Sequence, residues 1–205
     1  PQTTRVRFGP VAAYAAHAMR TPLTRLAART EGSPEVVRRA VGTLKHFVDS
    51  LLLLVRTDAS LDRTGTTVNV ADVVRQVVAS QDGGSHRVEA RAADEALVRG
   101  DEELLLAAVE HLVDNAVRYA PEGSLVTVAV DAAGSSVTLS VTDEGPGLAA
   151  GEEARVFDPF VRGAAGSATE GSGLGLALVS RIARGHGGLA SARPAGAGTR
   201  FEIVL

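Results

Sequence analysis

The first sixty residues carry apolar positions at helical spacing. Ala12, Ala16, Met19, Leu23 and Leu26 recur at intervals of 4, 3, 4 and 3, and Val37, Val41, Leu44, Val48, Leu51 and Val55 repeat the pattern. A heptad-like repeat of this kind predicts two helices, each with an apolar seam meant to face other helices. Between them Glu31-Gly32-Ser33-Pro34 reads as a break, with Ser33 as N-cap and Pro34 at the first position of the second helix. A lone hairpin cannot bury two full-length seams. The expectation is therefore that it pairs with a second copy of itself as a dimeric four-helix bundle.

Beyond Thr57 the chain turns polar, and the pattern that follows is different. The reading is a helical hairpin over 1–60, a linker over 61–67 and a second domain over 68–205. In that domain Val68 to Val70 reads as a short strand entering a helix, Asp72 to Ser80, and strands follow near Arg87 to Arg91 and Leu97 to Arg99. A strongly periodic helix spans Glu102 to Tyr119. Leu125 to Val130 and Val137 to Val141 alternate as a hairpin about Ala133-Gly134. A helix over Leu174 to Gly185 and strands over Leu189 to Ala192 and Arg200 to Val204 close the chain. Helices interspersed with mainly antiparallel strands predict an α+β sandwich with its helices on one face of the sheet.

Composition narrows the chemistry. Hydrophobic residues make up 45% of the chain but aromatics only 3%, so the core is built from Val, Leu and Ala. The net charge of −3 gives no support for nucleic-acid binding. The absence of Cys rules out disulfides, thiolate zinc sites and a thiol nucleophile. No apolar run approaches the ~20 residues that span a bilayer. Pro1 rather than Met opens the sequence, which reads as an excerpt with any membrane segment upstream.

Three segments of the second domain concentrate unusual residues. His111, Asn115 and Arg118 share one face of the long helix. An Asn carbonyl is a hard ligand suited to Mg²⁺, and Arg suits phosphate oxygens. Asp143-Glu144-Gly145-Pro146-Gly147 follows a strand directly. Its Asp is placed to accept from an exocyclic amine such as adenine's, and its glycines let backbone approach a flat ring. Gly171-Ser172-Gly173-Leu174-Gly175-Leu176 opens a helix, where successive N–H groups make an anion cradle.

In this order, the segments resemble the ATP-binding fold shared by histidine kinases, gyrase, Hsp90 and MutL, and the kinase branch in particular. Val113 to Tyr119 is similar to the N box, Asp143 to Gly147 to the first glycine box, Phe157-Asp158-Pro159-Phe160 to the F box and Gly171 to Leu176 to the second glycine box. Gly198-Thr199-Arg200-Phe201 resembles the closing strand motif. The resemblance implies ATP and Mg²⁺ as cofactors. It implies Asn115 on Mg²⁺, Asp143 on adenine with Gly145 and Gly147 beside it, Arg118 on phosphate and Tyr119 along the base. Gly171, Gly173, Leu174 and Gly175 would hold phosphate, Leu148 to Glu170 would form a lid, and Arg162 within it would reach the γ-phosphate. His111 stands where the family usually has Asn, and it too would touch the cation or a phosphate.

In the hairpin, His17-Ala18-Met19-Arg20-Thr21-Pro22-Leu23 places a histidine one turn before a helix-disrupting proline. Thr21 lies four residues on, on the same face. This segment resembles the H box of histidine kinases, with His17, Arg20, Thr21, Pro22 and Leu23 matching. The resemblance implies autophosphorylation of His17 by ATP, then transfer to an Asp of a response regulator's receiver domain. It also implies a cytoplasmic portion of a protein anchored in the bacterial inner membrane. Ala18 stands where the family commonly has Glu or Asp, thought to accept the imidazole proton. Ala18 and His111 together motivate an alternative: a phosphatase-dominated or pseudokinase scaffold that binds ATP and a regulator. A plain ATPase would need a water-activating Glu near Asn115, and Glu110 points ~100° away around the helix.

Overall fold

The computed structural model describes residues 66–81, 85–163 and 173–205. The expected hairpin with His17, Arg20 and Thr21, the four-helix bundle, and Gly171 of the second glycine box lie outside the described residues. Among the described residues no helix is long and apolar enough to cross a membrane.

The domain opens with strand β1, Thr66–Asn69, and helix α1, Val70–Ser80. Thr66 and Thr67, read from the sequence as linker, already belong to the strand because they pair antiparallel with Gly100 and Arg99 of β3, Leu97–Gly100. The helix also begins two residues earlier than its polar start at Asp72 suggests. Asn69 is the reason. Its side-chain oxygen accepts from the Ala71 N–H at 3.2 Å, capping α1, and from the Ala96 N–H at 2.9 Å. One side chain thus starts the helix and ties it to the segment entering β3.

Strand β2, Arg87–Ala92, precedes β3, and helix α2, Glu102–Tyr119, follows it with the limits that the periodicity predicts. Asp101 caps α2 by accepting from the Leu104 N–H at 3.2 Å. Glu102 and Glu103 in the first turn and Arg118 in the last complement the helix dipole. The hairpin strands β4, Leu125–Ala133, and β5, Ser136–Thr142, turn at Gly134, whose φ of 62° is a left-handed value that favours glycine. Both are longer than their apolar alternation, because ladder pairing continues past the last buried side chain. Helix α3, Gly175–Gly185, leads to β6, Leu189–Ala195, and β7, Gly198–Val204.

Five strands form one sheet in the order β2-β4-β5-β7-β6, while β1 and β3 make a separate two-stranded sheet. The β2–β4 pair is parallel and the other pairs are antiparallel. The alternation puts Val128, Val130, Leu139, Val141, Phe201 and Ile203 on one buried face. There they join the buried stripes of the three helices, including Val74 and Val77 of α1, Leu105 and Leu112 of α2, and Leu178 and Ile182 of α3. The expected one-sided α+β layering is therefore present, and the helix ends along one side of the sheet position the site.

Candidate nucleotide site

Asp143 follows directly on β5 and is the one buried acid among the described residues. It is 4% exposed. Its Oδ1 accepts from the Gly145 N–H at 2.8 Å and from the Thr199 N–H at 3.3 Å, while its own N–H donates to the Thr199 carbonyl at 3.0 Å. Oδ2 has no hydrogen-bond partner among the described residues. Burial raises the carboxyl above its ordinary range, against the lowering effect of the two N–H bonds. One oxygen is thus spent on holding the group in place, and the other is left for a donor from outside the fold.

The glycines around it are required by packing. A Cβ on Gly145 would sit 2.8 Å from Asp143 Oδ1 and 3.0 Å from the Tyr119 carbonyl oxygen. A Cβ on Gly198 would overlap the Asp143 carbonyl. These contacts bring together the end of α2, the β5 exit and the start of β7, three segments far apart in sequence. Thr199 and Gly198 are site residues whose roles the sequence reading did not assign. The available signal was the Gly-Thr pair at the head of the last strand.

On α2, His111 and Asn115 are half-buried and Arg118 is exposed, so the face they share runs from the protein surface inward. The Asn115 amide makes no hydrogen bond among the described residues. The first residue of α3 abuts this face, since a Cβ on Gly175 would lie 3.4 Å from His111 Nδ1. Leu174, at the N-cap of α3, is fully buried and supplies no side-chain cap. The start of α3 thus carries no side-chain cap from its N-cap residue, and helix N-termini of this kind suit anions.

The F box reaches this helix through its backbone. Phe160 adopts a φ of 67°, the sole positive value for a non-glycine among the described residues. Its N–H donates to the Gly173 carbonyl at 2.8 Å, and Gly173 itself has a φ of 70° with no room for a Cβ against Phe160. Phe157 packs edge-on against Phe201 with ring centroids 6.4 Å apart. Gly147, at φ 75°, passes close to the Ala197 carbonyl. Arg162 is exposed.

Among the described residues, a buried carboxylate with one oxygen unbonded, an amide without a hydrogen bond and a helix start with no side-chain cap are groups of the kind a nucleotide can use. The sequence profile of the family described as "Histidine kinase-, DNA gyrase B-, and HSP90-like ATPase" matches residues 100–205. The chain belongs to that family. Sensor-like histidine kinase SenX3 of Mycobacterium tuberculosis is 33% identical over 94% of this chain and 52% of its own length. Sensor protein kinase PmrB of Pseudomonas aeruginosa is 35% identical over 85% and 40%. The solved structure of the mycobacterial sensor histidine kinase MprB superimposes with a TM-score of 0.62 at 30% identity, over 69% of this chain and 96% of that one. The chain spans about half the length of the curated relatives it matches. Within this ATPase family the match is to the catalytic core of histidine kinases, and the nucleotide of such a domain is ATP.

Proposed function

We propose that the chain is the core of a two-component sensor histidine kinase, in which ATP held by the second domain phosphorylates His17. The observation that carries this is the division of labour at Asp143: Oδ1 bound to the Gly145 and Thr199 N–H groups, Oδ2 open. An acceptor fixed this way suits the exocyclic amine of adenine. Gly145 and Gly147 leave space for the ring, and Tyr119 borders it. The start of α3 at Gly175, with Gly173 and Leu174 just before it, would face the phosphates, a role the resemblance also implies for Gly171, and Arg118 and Arg162 add positive charge.

The donor set also fits Mg²⁺ carried by the nucleotide. No cluster of three or more His, Cys, Asp or Glu occurs among the described residues. Asn115, with its amide unpartnered, and His111 one turn away would supply the protein's ligands, and phosphate oxygens the rest. When bound, the cation neutralises charge on the phosphates.

In the reaction, a ring nitrogen of His17 attacks the γ-phosphorus in line. An N–P bond forms, the bond to the β,γ-bridging oxygen breaks, and ADP leaves with the electron pair. Ala18 has no side-chain base, so the imidazole proton passes to water. Residues 1–60 would supply the histidine on a dimeric four-helix bundle, 61–67 the connection and 68–205 the ATP site. Arg20 and Thr21 flank the acceptor, and the phosphoryl group then moves to an Asp of a response regulator. An anchor in the bacterial inner membrane would belong to other parts of the protein. The alternative of a phosphatase-dominated or pseudokinase scaffold draws no support from relatives that carry the name of sensor kinases.

The test is incubation of the full chain with γ-labelled ATP. Wild type should acquire acid-labile, base-stable label, and His17→Gln should acquire none. Label that persists in His17→Gln, or that survives acid, overturns the proposal.

A further inference from the structure

His186, just past α3, bridges that helix to α2. Its Nδ1 lies 2.8 Å from the Ile182 carbonyl, and its Nε2 lies 3.0 Å from the Asp101 N–H. A carbonyl can only accept and a backbone N–H can only donate. The ring is therefore the tautomer with the proton on Nδ1, and Nε2 is the acceptor. The space for it exists because residue 100 is glycine, since a Cβ there would overlap the imidazole. Asp101 in turn is the N-cap of α2. The imidazole therefore joins the end of one helix to the start of the other.

The opposite end of the same helix pair is the nucleotide site. Gly175, which begins α3, abuts His111 of α2. The two helices thus run antiparallel, with the His186 bridge at one end of their contact and the Gly175–His111 approach at the other. At about 1.5 Å per residue, the ten residues from Asp101 to His111 span about 15 Å, and the eleven from Gly175 to His186 about 16.5 Å. The lengths agree to within the rise of one residue, so a bond at one end sets the axial register at the other. The buried apolar side chains of the two helices, Leu105, Ala108 and Leu112 of α2 and Leu178 and Ile182 of α3, belong to one core cluster, and such packing is non-directional and does not define register so sharply.

We infer that His186 is a positioning residue for phosphate binding: through Asp101 it fixes how far α3 slides along α2, and so where the uncapped N-terminus of α3 meets His111 and Asn115. This rests on the nucleotide reading above and assigns His186 no contact with substrate. Asp143, which reads the base, is held by Gly145 and Thr199 rather than by either helix's register. The two halves of the ligand should therefore respond differently when His186 is changed.

The experiment compares adenosine and ADP as ligands by NMR titration of the full chain. The variants are His186→Ala, His186→Gln and Gly100→Ala. His186→Ala removes the bridge. Gly100→Ala displaces the ring without touching it chemically. His186→Gln retains an acceptor for the Asp101 N–H. His186→Ala and Gly100→Ala should lose roughly tenfold to a hundredfold in ADP affinity, the worth of one or two charge-assisted N–H to phosphate bonds, with adenosine affinity unchanged. His186→Gln should recover part of the loss. If ADP and adenosine weaken in parallel, or if ADP affinity is unaffected in folded variants, the positioning role is wrong. Should His186→Ala not fold, the comparison rests on Gly100→Ala and His186→Gln. If wild type binds neither ligand, it is the nucleotide reading itself that fails.

Discussion

Asp143→Asn is the sharpest test of the site, because it changes one acceptor into a donor with almost no change of shape. The amide oxygen can replace Oδ1 and keep the bonds from the Gly145 and Thr199 N–H groups, now 2.8 and 3.3 Å long. That choice forces the amide nitrogen into the place of Oδ2, where it would oppose the exocyclic amine of adenine, donor against donor. The variant loses one charge-assisted hydrogen bond, about 1.5–3 kcal/mol. That corresponds to roughly 10- to 100-fold in affinity, with the opposed donors adding to it. Stability should move the other way. Burial holds the Asp143 carboxyl above its ordinary pKa, so the folded chain keeps the proton more tightly than the unfolded one. Stability therefore falls as pH rises from the ordinary carboxylate range through the raised value, and Asn does not incur that loss. Without nucleotide, the variant should melt at or above the wild-type temperature at neutral pH. The difference should close in acid, where both side chains are neutral. Scanning fluorimetry across pH, with and without ADP, reads both effects. ADP affinity equal to wild type would refute the adenine assignment. A lower melting temperature at neutral pH would refute the account of how the carboxylate is held.

Other substitutions probe separate parts of the molecule. Asn69→Ala removes the α1 cap and leaves the Ala96 N–H without its acceptor, and should cost about 1–3 kcal/mol in urea unfolding. Imidazole is a softer ligand than an amide oxygen, so His111→Asn should shift the nucleotide-dependent cation preference from Mn²⁺ towards Mg²⁺, measured by calorimetric titration of each metal with ADP present. Ala18→Glu should speed labelling of His17 by restoring a proton acceptor, within the ~10²–10⁴ range of general-base effects, and single-turnover rates with labelled ATP measure it. No acceleration would show that water already removes the proton fast enough.

Much of the fold was legible because local patterns are strong there. The α2 limits follow from apolar periodicity running between Asp101 and the polar turn after Tyr119. The β4–β5 hairpin follows from alternation about a glycine. The order of Asn115, Asp143 and Gly173 to Gly175 was enough to suggest the nucleotide site, because each segment carries residue types that a plain core or surface does not need. Less visible were features made by residues that meet only in the folded chain. Thr66 and Thr67 look like linker until β3 pairs with them. The Thr199 N–H appears as the partner of Asp143 only when β7 lies beside β5.

The sequence alone determined which side of each helix and strand is buried, since the faces follow from repeats of 3.6 and 2 residues that act over one or two turns. It also placed the chemical groups at the ends of those elements. The tertiary structure alone decided which ends come together: the parallel β2–β4 pair, the separate β1–β3 sheet, the divided oxygens of Asp143, and the His186 bridge to a residue 85 positions earlier. Such contacts depend on how whole layers pack, and no local periodicity encodes them.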